Sequence, residues 1–239
     1  MSLPNPDEAL ELTVSRLYSQ DANDRVKAAS ELGEIGTPEI APKLLDVVYE
    51  DEASTVRQMA IQSYSEILGE DSLDEVIKAA DSHFDEYVKL YAVMVLGRIG
   101  SPRVSEPLSR YIRSDNPKIK AAALKAMIHA ETAEQGETVF EVLQQSDKPI
   151  IVRNCIEALA LWHYQGALDY IQNTYFTNED IKDLEIKTIS AFYLASFGDK
   201  KGINYLETSR VDRYVRIKID DIYYKGGQGL LEAARLLRS

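Results

Sequence analysis

Apolar residues recur along the chain at the spacing of amphipathic helices, and the whole pattern returns every 29 to 34 residues. The pattern is an apolar residue, a basic residue, two variable positions and a small residue, as in Val56-Arg57-Gln58-Met59-Ala60. The first copy begins with the polar Asp24, and two copies have Ile156 and Ile219 in the small position. The copies begin at residues 24, 56, 88, 119, 152, 186 and 215. Their basic residues occupy one register: Arg25, Arg57, Lys89, Lys120, Arg153, Lys187 and Arg216. Because apolar residues three and four apart indicate helices, each copy predicts a first helix.

A tight turn and a second helix are predicted to follow each first helix. Leu96-Gly97-Arg98-Ile99-Gly100 ends one first helix with glycines that are free to adopt positive φ. Ser101-Pro102 follows, and a hydroxyl at the N-cap before a proline is typical of a helix start. Aspartates precede the first helices and are expected to cap them: Asp51, Asp85, Asp115, Asp147, Asp183 and Asp212.

Stacked helical hairpins are the architecture that this repeat predicts. A single pair of short helices cannot bury its apolar face, whereas stacked pairs share one continuous core. We therefore expect an all-α fold, an α-α superhelix that forms a right-handed solenoid of about seven helical hairpins. It would be a single domain over residues 1–239, with a leading helix at 7–19, about 15 helices in all and a terminal helix from Gly229 to Arg238 as its cap.

The repeat motif resembles that of the HEAT-repeat superfamily. The residues that carry the resemblance are Val-Arg-x-x-Ala followed by Leu-Gly-x-Ile-Gly. The short period is similar to the HEAT-like repeat of phycobilisome bilin lyases. The likeness runs over residues 20–239 and is strong in repeats 1 to 4 and degenerate in repeats 5 to 7. The resemblance implies a HEAT-like solenoid and, as one function, a bilin lyase subunit. Since the repeat also occurs in proteins without bilin chemistry, it specifies a fold rather than a reaction.

Composition excludes several kinds of site. Gly (12) and Pro (8) are scarce among 239 residues, which favours helices over a loop-rich β fold. Cys155 is the single cysteine, so an intramolecular disulfide and a Cys-rich metal site are excluded. Three histidines leave little material for a His-based metal centre. The chain shows neither a secretory signal nor a membrane-spanning segment, and we expect it to be cytoplasmic.

Charge is distributed unevenly along the chain. The formal net charge is −12, which disfavours binding to nucleic acid. Residues 1–86 hold 20 Asp and Glu against 6 Lys and Arg, a net of −14, whereas residues 87–239 hold 19 against 21, a net of +2. The acidic part is interpreted either as a docking surface for a basic partner or as a means of solubility alone.

Two alternatives remain for the seven repeated basic residues. They could bind an anionic ligand as a row. They could instead form a structural ladder, in which each cation pairs with a helix-capping aspartate of its own or the adjacent repeat. The structural ladder is the preferred interpretation.

A second group of basic residues follows the acidic part of the chain. Arg103, Arg110 and Arg113 are spaced so that they would share one face of a second helix, which lines the concave surface of a HEAT-like solenoid. Such a row is suited to carboxylates or phosphates. The alternative is a solvated helix face with Glu106 as a partner.

The repeat pattern breaks most clearly at Trp162, His163 and Tyr164. The only tryptophan stands where other repeats have glycine-containing turns, and further aromatic residues follow. Large amphipathic aromatic residues are typical binding anchors, so this segment is a second candidate for ligand or partner binding. The alternative is that the aromatic side chains fill the space of a degenerate turn.

No catalytic residues and no metal ligands are predicted. His83, His129 and His163 lack the adjacent glutamates of di-iron HEAT-like hydroxylases, and Gly226-Gly227-Gln228-Gly229 is interpreted as a turn. We therefore expect a non-catalytic scaffold or adaptor that binds a protein partner on its concave face. It would need no cofactor and would be a monomer or part of a hetero-oligomer, without membrane or nucleic acid. The alternative is a bilin lyase subunit, with a bilin as ligand.

Overall fold

The structure, a computed structural model, describes residues 6–208, 211 and 214–238. Contacts between Cα atoms divide the chain into two compact units, Met1–Tyr111 and Ile112–Ser239. The single-domain organisation and the handedness of the solenoid stay predictions. None of the helices in the described ranges combines the length and the apolar character that crossing a membrane requires.

The first unit consists of a leading helix and three helical hairpins. The helices are α1 (Pro6–Arg16), α2 (Ala22–Ile35), α3 (Ala41–Glu50), α4 (Ser54–Leu68), α5 (Leu73–Ser82), α6 (Glu86–Ile99) and α7 (Ser105–Tyr111). The hairpins are α2 with α3, α4 with α5 and α6 with α7, and 3₁₀ turns at Gly69–Ser72 and Pro102–Val104 lead into α5 and α7.

Small residues let the first helices of this unit lie close together. Helix α4 packs between α2 and α6. The small positions of the repeat, Ala28, Ala60 and Ala92, are completely buried. A Cβ atom on Gly33 of α2 would lie only 2.9 Å from Oγ of Ser63 on α4. The small residues of the motif are therefore required by the distance between adjacent repeats.

The second unit contains three further helical hairpins and ends with a different element. Its elements are α8 (Pro117–His129), α9 (Gly136–Gln145), α10 (Pro149–Leu161), α11 (Leu168–Ile171), α12 (Leu184–Ser196), α13 (Lys200–Thr208), β1 (Arg216–Ile219), β2 (Ile222–Lys225) and α14 (Gly226–Leu236). A π-helical turn, Gln172–Phe176, continues α11. Helix α14 packs against α12 and α13, where Leu230 and Leu231 are buried.

The prediction of a seventh first helix at residue 215 is wrong. Arg216 is paired with Lys225, and Ile219 with Ile222, in an antiparallel β-hairpin. Asp220 and Asp221 form its two-residue turn with φ of 47° and 65°, the signs of a type I′ turn. Polar and apolar residues alternate in β1, and this period of two is that of a strand rather than a helix. The basic slot of the seventh repeat is therefore a strand position.

The predicted helix caps hold only in part. Asp85 caps α6 and Asp183 caps α12 through side-chain oxygens that accept backbone N–H groups. Asp51 accepts from the backbone of Ala53 but precedes the cap position of α4. Residues Asn116 and Lys148, rather than the predicted Asp115 and Asp147, hold the N-cap positions of α8 and α10. Asp212 lies outside the described residues.

The positive φ predicted at the end of the first helix holds at Gly100 but not at Gly36. Gly100 ends α6 with a φ of 67°, in the left-handed region. Gly36 ends α2 in an extended conformation, with a φ of −71°. The glycine that ends the first helix therefore has a different backbone conformation in these two repeats.

Candidate functional site

Two buried arginines connect successive hairpins of the first unit. Arg25 on α2 donates from Nε and Nη2 to the carboxylate of Asp51, which precedes α4, over 2.7 and 2.9 Å. Arg57 on α4 makes the equivalent ion pair with Asp85, which precedes α6. The four side chains are between 7% and 10% exposed. Each ion pair joins one repeat to the next, so these two arginines are engaged within the protein.

The same guanidinium groups also hold the preceding chain connection. Nη1 of Arg25 donates to the backbone oxygen of Ser19 over 2.9 Å. Nη1 of Arg57 donates to the backbone oxygen of Asp51. A planar group with several donors can bind a carboxylate and a carbonyl at once, which a lysine ammonium does less well. The arginines thus link two loops on either side of a first helix.

The surroundings of Asp85 favour the ionised form of its carboxyl group. Burial by itself raises the pKa of this carboxyl group. Hydrogen bonds from Arg57, Ser54 and the backbone of Tyr87 outweigh burial and lower the pKa of Asp85 to about 2. The carboxylate is therefore charged at neutral pH and contributes to stability there.

The other repeated cations are placed differently. Lys89 pairs with Glu86 on its own helix over 2.9 Å. Arg153 pairs with Glu185 over 2.6 Å and lies 3.7 Å from Glu157. Within the described residues, no carboxylate lies at ion-pair distance from three members of the series: Lys120, Lys187 and Arg216. The pairing of an arginine with the next repeat's aspartate is seen at Arg25 and Arg57.

Two of the three predicted partner-binding arginines lie side by side on the exposed face of the first unit. Arg103 is in the 3₁₀ turn before α7 and pairs with Asp74 of α5 over 3.1 Å. Arg110 is on α7 and pairs with Asp81 of α5 over 3.4 Å. The arginine side chains are 58% and 52% exposed. Ion pairs this exposed are worth only about 0–1 kcal/mol, so a partner could readily replace them.

The prediction that Arg113 shares a helix with the other two arginines is wrong. Helix α7 ends at Tyr111, and α8 begins at Pro117 after a short turn. Proline at the first helical position fixes the start of α8. Arg113 belongs to the second unit, where it pairs with Glu141 of α9 over 3.2 Å.

Asp81 is shared between two side chains of α7. It accepts a hydrogen bond from the hydroxyl of Tyr111 over 2.7 Å, and the guanidinium of Arg110 lies 5.3 Å from the centre of the Tyr111 ring. Burial raises the pKa of Tyr111, and the hydrogen bond to Asp81 raises it further. The phenol therefore remains a donor at neutral pH and holds Asp81 in place beside Arg110.

The predicted aromatic segment forms the turn after α10. Trp162 is half-buried at the C-cap of that helix. His163 has a φ of 51°, its Nε2 lies 3.1 Å from the backbone oxygen of Ser196, and its ring stacks on Phe197 with centroids 4.2 Å apart. These contacts fix the turn against the end of α12, and they account for His163 without a ligand.

Tyr164 covers two glycines, Gly136 at the start of α9 and Gly166 in the turn before α11. A Cβ atom on Gly136 would lie 2.5 Å from the Tyr164 ring, and one on Gly166 would lie 2.7 Å from its hydroxyl oxygen. The hydroxyl donates to Glu137, and the backbone oxygen of Tyr164 accepts from the hydroxyl of Tyr193 over 2.6 Å. The space that these glycines leave is filled by Tyr164, which agrees with the packing alternative.

The described residues contain no group of three or more His, Cys, Asp or Glu side chains placed to hold a metal ion. Burial raises the pKa of the Cys155 thiol, which keeps it in its unreactive form. Both ring nitrogens of His83 lie at hydrogen-bond distance from backbone atoms, Nε2 from the oxygen of Val48 and Nδ1 from the nitrogen of Asp85. These side chains are occupied by packing and backbone contacts.

Sequence reasoning missed a cavity between the β-hairpin and helices α8 and α10. Lys125, Arg153, Arg216 and Tyr223 are among the residues that line it. The signal was available as the alternation of polar and apolar residues from Arg216 onward. The helical register of the repeat, extended to residue 215, concealed that alternation.

Stacked helical hairpins in which small and basic positions recur at a regular spacing define a helical-repeat protein. Residues 10–82 and 73–135 match the family described as HEAT repeats, and together the two matches cover more than half of the chain. The chain therefore belongs to the HEAT-repeat family. No curated protein is significantly similar to it in sequence.

Two solved structures are similar to the whole fold or most of it. One is the complex of CpcE and CpcF of phycocyanin lyase from Nostoc sp. PCC7120, with a TM-score of 0.54 and 14% identity over 100% of this chain and 95% of that chain. The other is an engineered protein, with a TM-score of 0.48 and 17% identity over 81% of this chain and 97% of that chain. The first likeness and the family match confirm the all-α, HEAT-like fold predicted from the sequence.

Proposed function

We propose that the protein is a non-catalytic scaffold that binds a partner protein through the exposed face of α3, α5 and α7. This is the second-helix face, which the sequence predicts to be concave. Membership of the HEAT-repeat family supports the proposal, because stacked hairpins present extended surfaces suited to binding proteins. The proposal includes action in the cytoplasm, as a monomer or within a hetero-oligomer.

The observation that carries the proposal is the contrast between two sets of ion pairs. The pairs made by Arg25 and Arg57 are buried and join repeats internally. The pairs made by Arg103 and Arg110 are exposed on the second-helix face. Since exposed pairs are weak and buried pairs are costly to break, the second-helix face is the one whose charges are available to a partner.

The charges of this face change from one helix to the next. Asp46 and Glu50 are exposed one turn apart on α3. The exposed aspartates of α5 are matched by Arg103 and Arg110 of the following repeat. A partner that carries basic groups opposite α3 and carboxylates opposite the two arginines would be complementary to the surface.

Charge reversal on the second-helix face tests the proposal. The partner is first identified by affinity purification from native lysate, and its affinity is then measured for wild type and for Arg110→Glu. We expect affinity to fall about tenfold at low ionic strength and less at high ionic strength, because the reversed charge repels carboxylates and salt screens that repulsion.

Arg98→Glu is the matched control for this substitution. Arg98 is also exposed, and Arg98→Glu changes the net charge by the same amount, but Arg98 lies on the first helix α6. The Arg98→Glu variant should bind the partner with an affinity within about twofold of wild type. Circular dichroism establishes that both variants remain folded. Equal affinities for wild type and Arg110→Glu at both ionic strengths would exclude this face as the docking site.

A second candidate function is that of a bilin lyase subunit. Similarity to the CpcE and CpcF complex over the whole chain favours it, as does the repeat period. Under this hypothesis a bilin is the ligand, and Arg103 and Arg110 would bind its propionates.

Visible absorbance distinguishes the two functions. A lyase subunit mixed with free bilin should shift or intensify the visible spectrum of the pigment, because a bound tetrapyrrole adopts a restricted conformation. A scaffold should leave the spectrum unchanged. Serum albumin at equal concentration controls for nonspecific pigment binding, and a spectral change no larger than that with albumin would remove the second candidate.

A further inference from the structure

A cavity of about 680 Å³ lies between the β-hairpin and helices α8 and α10 of the second unit. Small-molecule sites commonly have volumes of about 300–1,000 Å³, so the cavity is large enough for an organic ligand. The residues that line it all belong to the second unit, and four of those on the β-hairpin or its turn are Arg216, Lys218, Asp220 and Tyr223.

Cationic side chains from three elements line the cavity. Lys125 comes from α8, Arg153 from α10 and Arg216 from β1. Arg153 is held by Glu185 over 2.6 Å and lies 3.7 Å from Glu157, which also lines the cavity and attracts Lys125. In the part of the chain that the structure describes, no carboxylate lies at ion-pair distance from Lys125 or Arg216. Neither of these two cations is therefore held in an ion pair, and both can bind an anionic group.

Apolar and aromatic side chains form another part of the lining. Ile128 and Leu161 are half-buried in its wall, and Tyr223 of β2 is 62% exposed. The guanidinium of Arg216 lies 5.9 Å from the centre of the Tyr223 ring. A flat apolar group would therefore contact hydrophobic walls and an aromatic side chain next to the cations.

Carboxyl groups also line the cavity. Asp220 and Asp221 line it at the hairpin tip, Glu131 lines it from the turn after α8, and Glu157 lines it from α10. An ion pair with Lys218, 2.6 Å long, lowers the pKa of Asp221, and the nearby His129 contributes to the same shift. A second anionic group on a ligand would be repelled by these carboxylates.

We propose that the cavity binds an amphipathic monocarboxylate, with its carboxylate between Lys125 and Arg216 and its apolar body against Ile128, Leu161 and Tyr223. The two unpaired cations supply charge-assisted hydrogen bonds. The carboxylates in the lining disfavour a second anionic group on the ligand. This activity is independent of partner binding on α3, α5 and α7.

Fluorescence anisotropy of 1-pyrenebutyrate tests the proposal on the full-length protein. The neutral analogue 1-pyrenebutanol and the cationic 1-pyrenebutylamine have the same apolar body and serve as matched probes. We expect the carboxylate to bind about tenfold more tightly than the alcohol, since one charge-assisted hydrogen bond distinguishes them. The amine should bind no better than the alcohol.

Substitutions locate the binding site. Lys125→Ala and Arg216→Ala should each lower the affinity for 1-pyrenebutyrate about five- to tenfold and leave the affinity for 1-pyrenebutanol unchanged. Arg216→Lys should retain most of the affinity, because the charge remains. Arg235→Ala, an exposed arginine on α14 outside the cavity, is the control and should bind like wild type.

Equal binding of the carboxylate and the alcohol would overturn the proposal, and so would preferential binding of the amine. Unchanged affinity in both alanine variants would place the probe elsewhere and would also overturn it. Thermal melting of each variant separates a loss of fold from a loss of the ligand site, and Arg216→Lys provides a folded comparison if Arg216→Ala melts early.

Discussion

At the scale of the residue, the choice between arginine and lysine decides what the repeated basic position does. Arg25 and Arg57 reach both the preceding backbone and the aspartate of the next repeat. Lys89 occupies the same position but pairs within its own helix. The register of these cations follows from the sequence, but the partner of each depends on side-chain reach and on loop positions that the register does not contain.

Asp85 makes a prediction about stability in acid. The pKa of Asp85 is about 2 in the folded protein, below the ordinary value of 3.8. The ionised carboxylate therefore stabilises the folded state at every pH above the ordinary pKa. This contribution is lost as pH falls from about 5 towards 2, and it amounts to about 2 kcal/mol. We expect Asp85→Asn to unfold at lower urea concentration at pH 7 and to lose less stability than wild type between pH 5 and pH 3.

Asp74→Asn is the control for Asp85→Asn. Asp74 also pairs with an arginine, but its side chain is 85% exposed. Its free energy of unfolding should differ from wild type by less than about 1 kcal/mol, with the same dependence on pH. If Asp85→Asn and wild type lost equal stability in acid, the ion pair of Arg57 and Asp85 would not be the source of the acid-dependent loss of stability.

At the scale of the element, six hairpins follow the helical repeat in the described residues, whereas the seventh position departs from it. The basic and apolar residues at 215–219 satisfy the repeat motif and also alternate as a strand does. Asp220 and Asp221 decide between the two, because residues with positive φ close a two-residue hairpin and would end a helix. A motif of five residues is too short to distinguish these outcomes on its own.

The turn of the hairpin gives a prediction at this scale. Asp221 has a φ of 65°, a conformation that glycine adopts without strain. Asp221→Gly should slow amide hydrogen exchange in β1 and β2 by roughly threefold, equivalent to about 0.5–1 kcal/mol, because type I′ turns favour glycine there. The ion pair with Lys218 that is lost is exposed and contributes little.

Asp221→Ala separates the loss of the carboxylate from the relief of backbone strain, because alanine removes the carboxylate but does not favour positive φ as glycine does. Asp221→Ala should therefore accelerate amide hydrogen exchange in β1 and β2. Faster exchange in Asp221→Gly would show that the carboxylate, rather than the backbone conformation, holds the hairpin together.

At the scale of the whole molecule, the sequence predicts the class of fold well and the binding site poorly. The repeat of apolar, small and basic positions is periodic, and periodicity is what stacked hairpins require of a sequence. The cavity depends instead on a single departure from the repeat, and its lining comes from segments nearly 100 residues apart. Arg113 illustrates the same limit, because α7 ends at Tyr111 and the predicted helix face does not extend to Arg113.

The last helix gives the prediction that concerns the whole stack. Leu230 and Leu231 of α14 are buried against α12 and α13, and nothing follows α14 in the described structure to cover those helices in its place. A chain ending at Lys225 should therefore expose their apolar face, lose roughly 3–6 kcal/mol of unfolding free energy and aggregate. Because helical repeats are stabilised mainly by their neighbours, hydrogen exchange should accelerate most in α12 and α13. A chain ending at Leu236 is the control and should behave as wild type. A monomer ending at Lys225 with the wild-type urea midpoint would show that α14 does not cap the repeats.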